Sequence, residues 1–388
     1  MKIALIGVSG LRNRGMEALV AVLVDGLKAR HPDARIRMFT KVSDYEKRYC
    51  AGDPCVSLES SIVEGATDRL RAVIGRVAAP RLHPHFATLR GADLIVFTGG
   101  DVLTDSYGPG SYEHFLRQLE LAIATGRPVA APALSAGPLP KGASPVRLLR
   151  AFERLAHLSF REERSLAFAR SIGLRRDAPV VPDLAVLLRP TERPAAVPPV
   201  LIAPSMGFAR WSGLDGAAHL DALARFAGHA LREWGAPVGI VAHTHERNPE
   251  ADDRRIAAEL AERIGGAPVV YEEDQPAAWY KARLASAEFV LAERMHAAVG
   301  AFSSGVPGMV LAYSLKAHGL AGLVGSPGEG GPPPCADSKE LLEGDTWIDR
   351  TDAIWRERQR WRVHLAEVSA AWRRGAESVL DSVAEAAR

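Results

Sequence analysis

The chain has 388 residues, 47% hydrophobic and 24% charged, an ordinary globular composition that excludes wholesale disorder and is long enough for about two domains. Its 48 basic and 46 acidic residues leave a formal net charge of +2, so no basic face of the kind nucleic-acid binding needs is expected. Three cysteines, Cys50, Cys55 and Cys335, do not make a disulfide framework, and no Cys/His cluster has zinc spacing. The first apolar run, ending at Val8, is too short for a signal peptide, and no run reaches the roughly 20 apolar residues of a membrane-crossing helix. A cytoplasmic location follows as the expectation.

In chain order, Lys2–Val8 reads as a buried strand, followed by a turn with Gly10 and Gly15 and a helix over Glu17–Lys28. Arg35–Thr40 is the next strand, and residues 50–88 give no clear pattern. Strands are then expected at Asp93–Thr98, Pro128–Leu134, Leu158–Phe160 and Val180–Leu188, with helices at Glu113–Thr125, Pro145–Ala156 and Glu163–Ile172. Residues 189–199 hold four prolines in eleven positions, which neither a helix interior nor a central strand accepts, so they read as a linker. The alternation then resumes. Strands fall at Val200–Pro204, Val238–His243, Val269–Glu272, Phe289–Ala292 and Met309–Ala312, with helices near 215–234, 252–264, 276–286 and 296–304. Residues 326–334 are Gly/Pro-rich, and Ala353–Ala387 is a long Arg- and Trp-rich helical pattern. The expected division is a first α/β domain over 1–188, a linker over 189–199, a second α/β domain over 200–345, and a C-terminal helical stretch over 346–388 that crosses back to the first domain. Repeated βα units point to parallel sheets, in which ligands sit at the carboxyl ends of strands.

The polar strand-to-helix junctions are therefore the candidate sites. After the first strand, Gly15 permits a tight turn and Glu17 reads either as a site residue or as a complement to the helix dipole. The turn is not a GxGxxG fingerprint, so a dinucleotide is not indicated. Gly99 and Gly100 let a backbone approach a ligand, and Asp101 and Asp105 read as sugar contacts, as bases or as turn residues. Arg161 leaves a strand edge, where its planar fork suits a carboxylate or phosphate, or an ion pair with Glu162 or Glu163. Arg294 and His296 stand two apart at a strand end before a helix, a fixed charge beside a titratable imidazole. Lys316 follows Tyr313 and Ser314 at the end of the next strand, where it can neutralise a phosphate. His243 and His245 flank Thr244 after a strand, with no third ligand for a metal.

These junctions, in this order, resemble the polysaccharide pyruvyl transferase family. The resemblance rests on Asn13-x-Gly15-x-Glu17-Ala18, Gly99-Gly100-Asp101 with Asp105, Gly137-Pro138, Arg161 with Ser165 and Gly173, Asp183-Leu184-Ala185, Arg294-Met295-His296, Gly305-Val306-Pro307 and Tyr313-Ser314-Leu315-Lys316, and spans about residues 1–325. It implies two Rossmann-like domains facing a cleft, in the manner of B-type glycosyltransferases. It also implies transfer of the enolpyruvyl group of phosphoenolpyruvate onto a free or lipid-linked saccharide to form a pyruvate ketal in surface or exopolysaccharide biosynthesis, with no metal and no other cofactor. Carried over by position, His296 and Lys316 are catalytic; the base is left open among Glu17, Asp101 and Asp105. Arg161, Arg294, Gly15, Gly99, Gly100, Asp105, Tyr313 and Ser314 bind substrate. Met16 departs from the family's usual Asp at that place, and Met295 from its usual Leu. The alternatives are a nucleotide-sugar-dependent glycosyltransferase of the same fold and a non-catalytic binding homologue. The Trp355–Arg362 stretch reads as core packing or as a peripheral contact with an anionic membrane.

Overall fold

In the computed structural model, which describes residues 1–62, 70–71, 79–313, 315–328 and 331–387, the chain divides into two compact units. The first comprises Met1–Leu11, Leu19–Leu184 and Gly375–Arg388; the second comprises Arg12–Ala18 and Ala185–Arg374.

The first unit holds β1 (Lys2–Ile6), β2 (Arg35–Thr40), β3 (Val56–Ser60), β4 (Leu94–Phe97), β5 (Gly100–Leu103), β6 (Val129–Ala136) and β7 (His157–Phe160). They form one parallel sheet in the order β3-β2-β1-β4-β6-β5, with β7 also on β6. The second unit holds β8 (Val200–Ala203), β9 (Val238–Val241), β10 (Val270–Tyr271), β11 (Phe289–Ala292), β12 (Gly308–Ala312) and β13 (Cys335–Asp337). These form a second parallel sheet, β10-β9-β8-β11-β12-β13. The winding direction reverses between β1 and β4 in one sheet and between β8 and β11 in the other. Such a reversal opens a crevice at the carboxyl ends of the two strands.

Local sequence explains these elements. Strands β4, β8 and β11 are continuous apolar runs with every residue buried, as parallel strands covered on both faces must be. The helix Gly216–Glu233 starts where the Asp215 carboxylate accepts the Ala218 N–H at 2.9 Å, and it buries Leu220, Leu223, Phe226, Ala227 and Ala230 at helical spacing. Phe226 then meets Phe289, Trp234 and Trp347 in that unit's core.

Some elements depart from the sequence reading. Val180–Leu188 is not a strand. Only Val180 bridges Phe160, Pro182 offers no N–H to a ladder, and Leu184–Leu187 turns into a 3-10 helix. β5 was hidden because Gly99 interrupts the apolar run, and β4 and β5 pair with successive stretches of β6. In the unassigned stretch 50–88, β3 and the short helix Phe86–Arg90 emerge; residues 63–69 and 72–78 lie outside the described residues. The C-terminal pattern is two helices, Thr346–Arg356 and Arg358–Glu385. Trp361 and Trp372 are buried and Trp355 stacks on Trp234 at 4.6 Å, so these rings pack inward. Among the described residues no helix is long and apolar enough to cross a membrane.

Candidate functional site

The site builds on the second unit's switch point. Ser205 lies just past the end of β8 and Glu293 just past the end of β11, and Glu293 ties the two ends together. Its Oε2 accepts the Ser205 N–H at 2.7 Å and its Oε1 pairs with His219 Nε2 at 2.5 Å. His219 is buried and stacks on Phe208. Burial works against its charge, but the Glu293 carboxylate outweighs this and holds its pKa above the ordinary value.

The next residue, Arg294, precedes the helix Met295–Phe302. Its Nε donates to Asp253 Oδ2 at 2.8 Å and its Nη2 to Asp253 Oδ1, a bidentate pair. Asp253 is wholly buried at the start of the helix Asp253–Ile264 and also accepts the Met206 N–H at 3.0 Å. Burial pushes its carboxyl up, against the pull of the guanidinium. Arg294 thus reaches the crevice in a fixed orientation, its side chain 13% exposed.

The segment Arg12–Ala18 joins this unit by backbone pairing. Asn13 bridges Thr244 in antiparallel sense, the Arg14 N–H donates to the His243 carbonyl at 3.2 Å, and the His245 N–H donates to the Arg12 carbonyl at 3.0 Å. Gly15 then lies against His296. A Cβ at position 15 would overlap the imidazole at Nδ1 and Cγ, so only glycine fits. Arg14 is fully buried: its Nη1 meets Glu17 Oε2 at 3.3 Å, its Nη2 meets Asp274 Oδ1 at 3.0 Å and His245 Nδ1 at 3.3 Å, and its guanidinium lies 5.7 Å from the Tyr280 ring centre. Glu17 is buried in that pair. Burial and the neighbouring cations hold His243 well below its usual pKa, and His245 is pushed down to about 4, mainly by burial. Arg14, His243, Lys281 and His296 line a small cavity of about 10 Å³, at the lower limit of the space that holds one water.

β12 neighbours β11, so Tyr313 and Lys316 leave the adjacent strand end. Tyr313 meets Phe208 edge-on and stacks on Trp211, which remains 39% exposed. Lys316 is half-buried at the start of the helix Leu315–Val324, and burial pushes its ammonium down to about 7. Ser314 lies outside the described residues.

The remaining expected residues belong to the first unit. Gly99 has φ +81°, and a Cβ there would strike the Pro132 carbonyl, so its close approach is to β6. Gly100 opens β5 with φ +78°. Asp101 is half-buried and accepts the Tyr107 hydroxyl at 2.7 Å; Asp105 is exposed, and its N–H donates to the Pro138 carbonyl. Arg161 is buried: its Nε donates to Ser135 Oγ and its Nη1 to Asp183 Oδ2, both at 2.7 Å, and Glu162 lies at 3.5 Å. Its Nη2 has no hydrogen-bond partner among the described residues.

Arg14, Asp253, Asp274 and Tyr280 were not foreseen. Arg14 sat inside the turn already singled out. Asp253 stands in an Asp-Asp helix start that reads as a cap, and only the fold brings it to Arg294. Among the described residues no group of three or more His, Cys, Asp or Glu side chains is placed to hold a metal ion. The geometry offers cations and imidazoles converging at one set of strand ends, suited to an anionic ligand and to proton transfer.

A family model described as polysaccharide pyruvyl transferase matches residues 13–314. No curated protein matches the chain. Among solved structures, UDP-GlcNAc 2-epimerase from Neisseria meningitidis bound to UDP-GlcNAc is 12% identical with a TM-score of 0.55, covering 99% of this chain and 100% of its own. The N-terminal domain of Candida albicans trehalose-6-phosphate phosphatase is 10% identical with a TM-score of 0.56, covering 100% and 99%. Spinosyn rhamnosyltransferase SpnG is 14% identical with a TM-score of 0.51, covering 98% and 99%. At these identities the likeness is one of fold: two parallel α/β sheets of the B-type glycosyltransferase-like kind.

Proposed function

Because this chain belongs to the polysaccharide pyruvyl transferase family, and is thereby an enzyme of the transferase class, we propose that it moves the enolpyruvyl group of phosphoenolpyruvate onto a saccharide and closes a pyruvate ketal. The observation that carries the reading is the seat of His296 against Gly15, beside Arg294. Two sequence elements nearly three hundred residues apart, both within the matched span, meet at one crevice.

In this reading Arg294 and Lys316 hold the donor's carboxylate and phosphate. His296 delivers a proton to the donor's methylene carbon, and the adjacent carbon becomes electrophilic. An acceptor hydroxyl adds there and gives up its proton to a carboxylate. A second hydroxyl of the same sugar adds as the carbon–oxygen bond to phosphate breaks; its proton returns to His296, and the proton held by the carboxylate leaves with the phosphate, so donor and diol become ketal and inorganic phosphate. Glu17, Asp101 and Asp105 remain the candidate bases. Glu17 is tied to Arg14 and Asp101 holds Tyr107, so each would act from an existing hydrogen bond. Tyr313, Gly100 and Asp105 are proposed on the acceptor, and Arg161 on an anion through Nη2. The acceptor as a lipid-linked saccharide and a cytoplasmic site of action belong to the same proposal, and no metal is needed where fixed cations meet the charge.

A second reading is nucleotide-sugar-dependent glycosyl transfer, and the solved structures of this fold lean toward it. The epimerase relative was captured with UDP-GlcNAc. In this chain the Trp211–Tyr313 stack offers a ring face to a base or a sugar. Family membership speaks against the non-catalytic alternative.

Isothermal titration separates the two. Saturable binding of phosphoenolpyruvate, lost in Arg294→Ala, is the expected result, with His296→Ala still binding and folded but without turnover. Saturable binding of UDP-GlcNAc with no heat from phosphoenolpyruvate would establish the second reading instead.

A further inference from the structure

On the helix that carries Lys316 and on the strand β13 beside β12, one further cluster in the second unit has the arrangement of an activated nucleophile. Cys335 opens β13, Asp337 closes it, and His318 lies on the helix Leu315–Val324. Cys335 Sγ is 3.6 Å from His318 Nδ1, and His318 Nε2 is 2.9 Å from Asp337 Oδ1. An ionised carboxylate only accepts, so Asp337 takes the Nε2–H and leaves the lone pair of Nδ1 facing the sulfur. Partners on opposite ring nitrogens cannot close on one ion, so this is not a metal cage. Asp337 is itself held: it caps the 3-10 helix Ser338–Leu341, and its N–H donates to Glu340 Oε1 at 2.7 Å. Cys335 is half-buried, and the His318 and Asp337 side chains are 30% and 60% exposed, which leaves room for a small reagent.

We infer that Cys335, His318 and Asp337 form an activated-thiol site that exchanges with small disulfides. His318 Nδ1 takes the Cys335 S–H proton, and Asp337 stabilises the imidazolium that results. The thiolate attacks one sulfur of the disulfide R–S–S–R. The S–S bond breaks, Cys335–S–S–R forms, and the departing R–S⁻ takes the proton from His318. The disulfide is the oxidant, and one R–SH is released. The two other thiols provide the contrast. Cys50 is buried, and burial pushes its thiol up to about 11. Cys55 is half-buried, its backbone N–H on Asp53.

The test is the reaction of the full chain with 5,5′-dithiobis(2-nitrobenzoate), followed by release of the coloured thiolate. Single-thiol versions keep only Cys335 or only Cys55. At neutral pH Cys335 is expected to react about threefold or more faster than Cys55, since a larger thiolate fraction is partly offset by lower nucleophilicity. In the Cys335-only chain, His318→Ala removes that advantage and Asp337→Asn removes part of it. A Cys335 no faster than Cys55, or one whose rate is unchanged by His318→Ala, overturns the inference. Should His318→Ala fail to fold, Asp337→Asn decides, and an unchanged rate in that variant has the same meaning.

Discussion

Gly15 and Lys316 carry the sharpest consequences at the scale of single residues. A methyl group at position 15 has nowhere to go but into the His296 ring. Gly15→Ala therefore displaces the imidazole by a fraction of an ångström or more, and misplacement of a reacting group by about 1 Å costs about 10²-fold in rate. The expected outcome is a fall of that order in kcat with little change in donor affinity, and a loss of about 1–3 kcal/mol in stability from overpacking. Steady-state kinetics and a thermal melt read the two separately. Lys316 titrates near neutrality because burial pushes it down to about 7. In the proposed mechanism the donor's phosphate sits on Lys316 and favours the ammonium, so donor binding takes up a proton. As pH rises above 7 the empty site loses its charge and affinity weakens, by about tenfold per pH unit until the bound-state pKa is reached. Titrations between about pH 7.5 and 9 in buffers of different ionisation enthalpy check both the uptake and the slope, and Lys316→Arg should flatten them.

At the scale of elements, the Glu293–His219 clamp joins β8 to β11 and so fixes the strand ends from which Arg294 projects. His219 has a pKa raised above its unfolded value. Between those two values His219 holds more proton in the folded chain than in the unfolded one, so its contribution to stability falls as pH rises through this window. The contribution is complete below about 6.5 and lost above the raised value. His219→Gln is expected to remove this contribution, seen as a melting-temperature deficit against the wild type that shrinks as pH rises from about 6 to 8.5. Glu293→Ala leaves the Ser205 N–H and His219 buried without their carboxylate and should cost about 3–5 kcal/mol. The junctions themselves were legible in the sequence, because apolar strands followed by helical spacing mark where polar residues must collect. The partners were not. Arg294 could be named, but its orientation is set by Asp253, forty-one residues away, and no local pattern distinguishes that aspartate from its neighbour Asp252, an ordinary helix cap. Likewise Arg161 read as an anion contact, while its commitment to Asp183 depends on how residues 180–187 turn.

At the scale of the whole molecule, the two parallel α/β sheets were legible from the βα alternation, but the bookkeeping of chain segments was not. Arg12–Ala18 belongs with the second unit because its backbone pairs with His243–His245, and Gly375–Arg388 belongs with the first. The last turns of the helix Arg358–Glu385 bury Ala376, Val379, Leu380 and Val383. Glu377 and Asp381 receive Arg30 at 2.8 and 2.7 Å. Those exposed ion pairs contribute little, whereas the apolar residues replace core that the first unit would otherwise lack. Leu380→Ala should therefore destabilise the first unit by about 2–5 kcal/mol. Hydrogen exchange read by mass spectrometry locates the effect: amides of β1 and β4 exchange faster, while those of β8 and β11 keep their wild-type rates. Equal acceleration in both sheets would mean that the chain unfolds as one cooperative block, and acceleration confined to β8 and β11 would assign the end of this helix to the other unit.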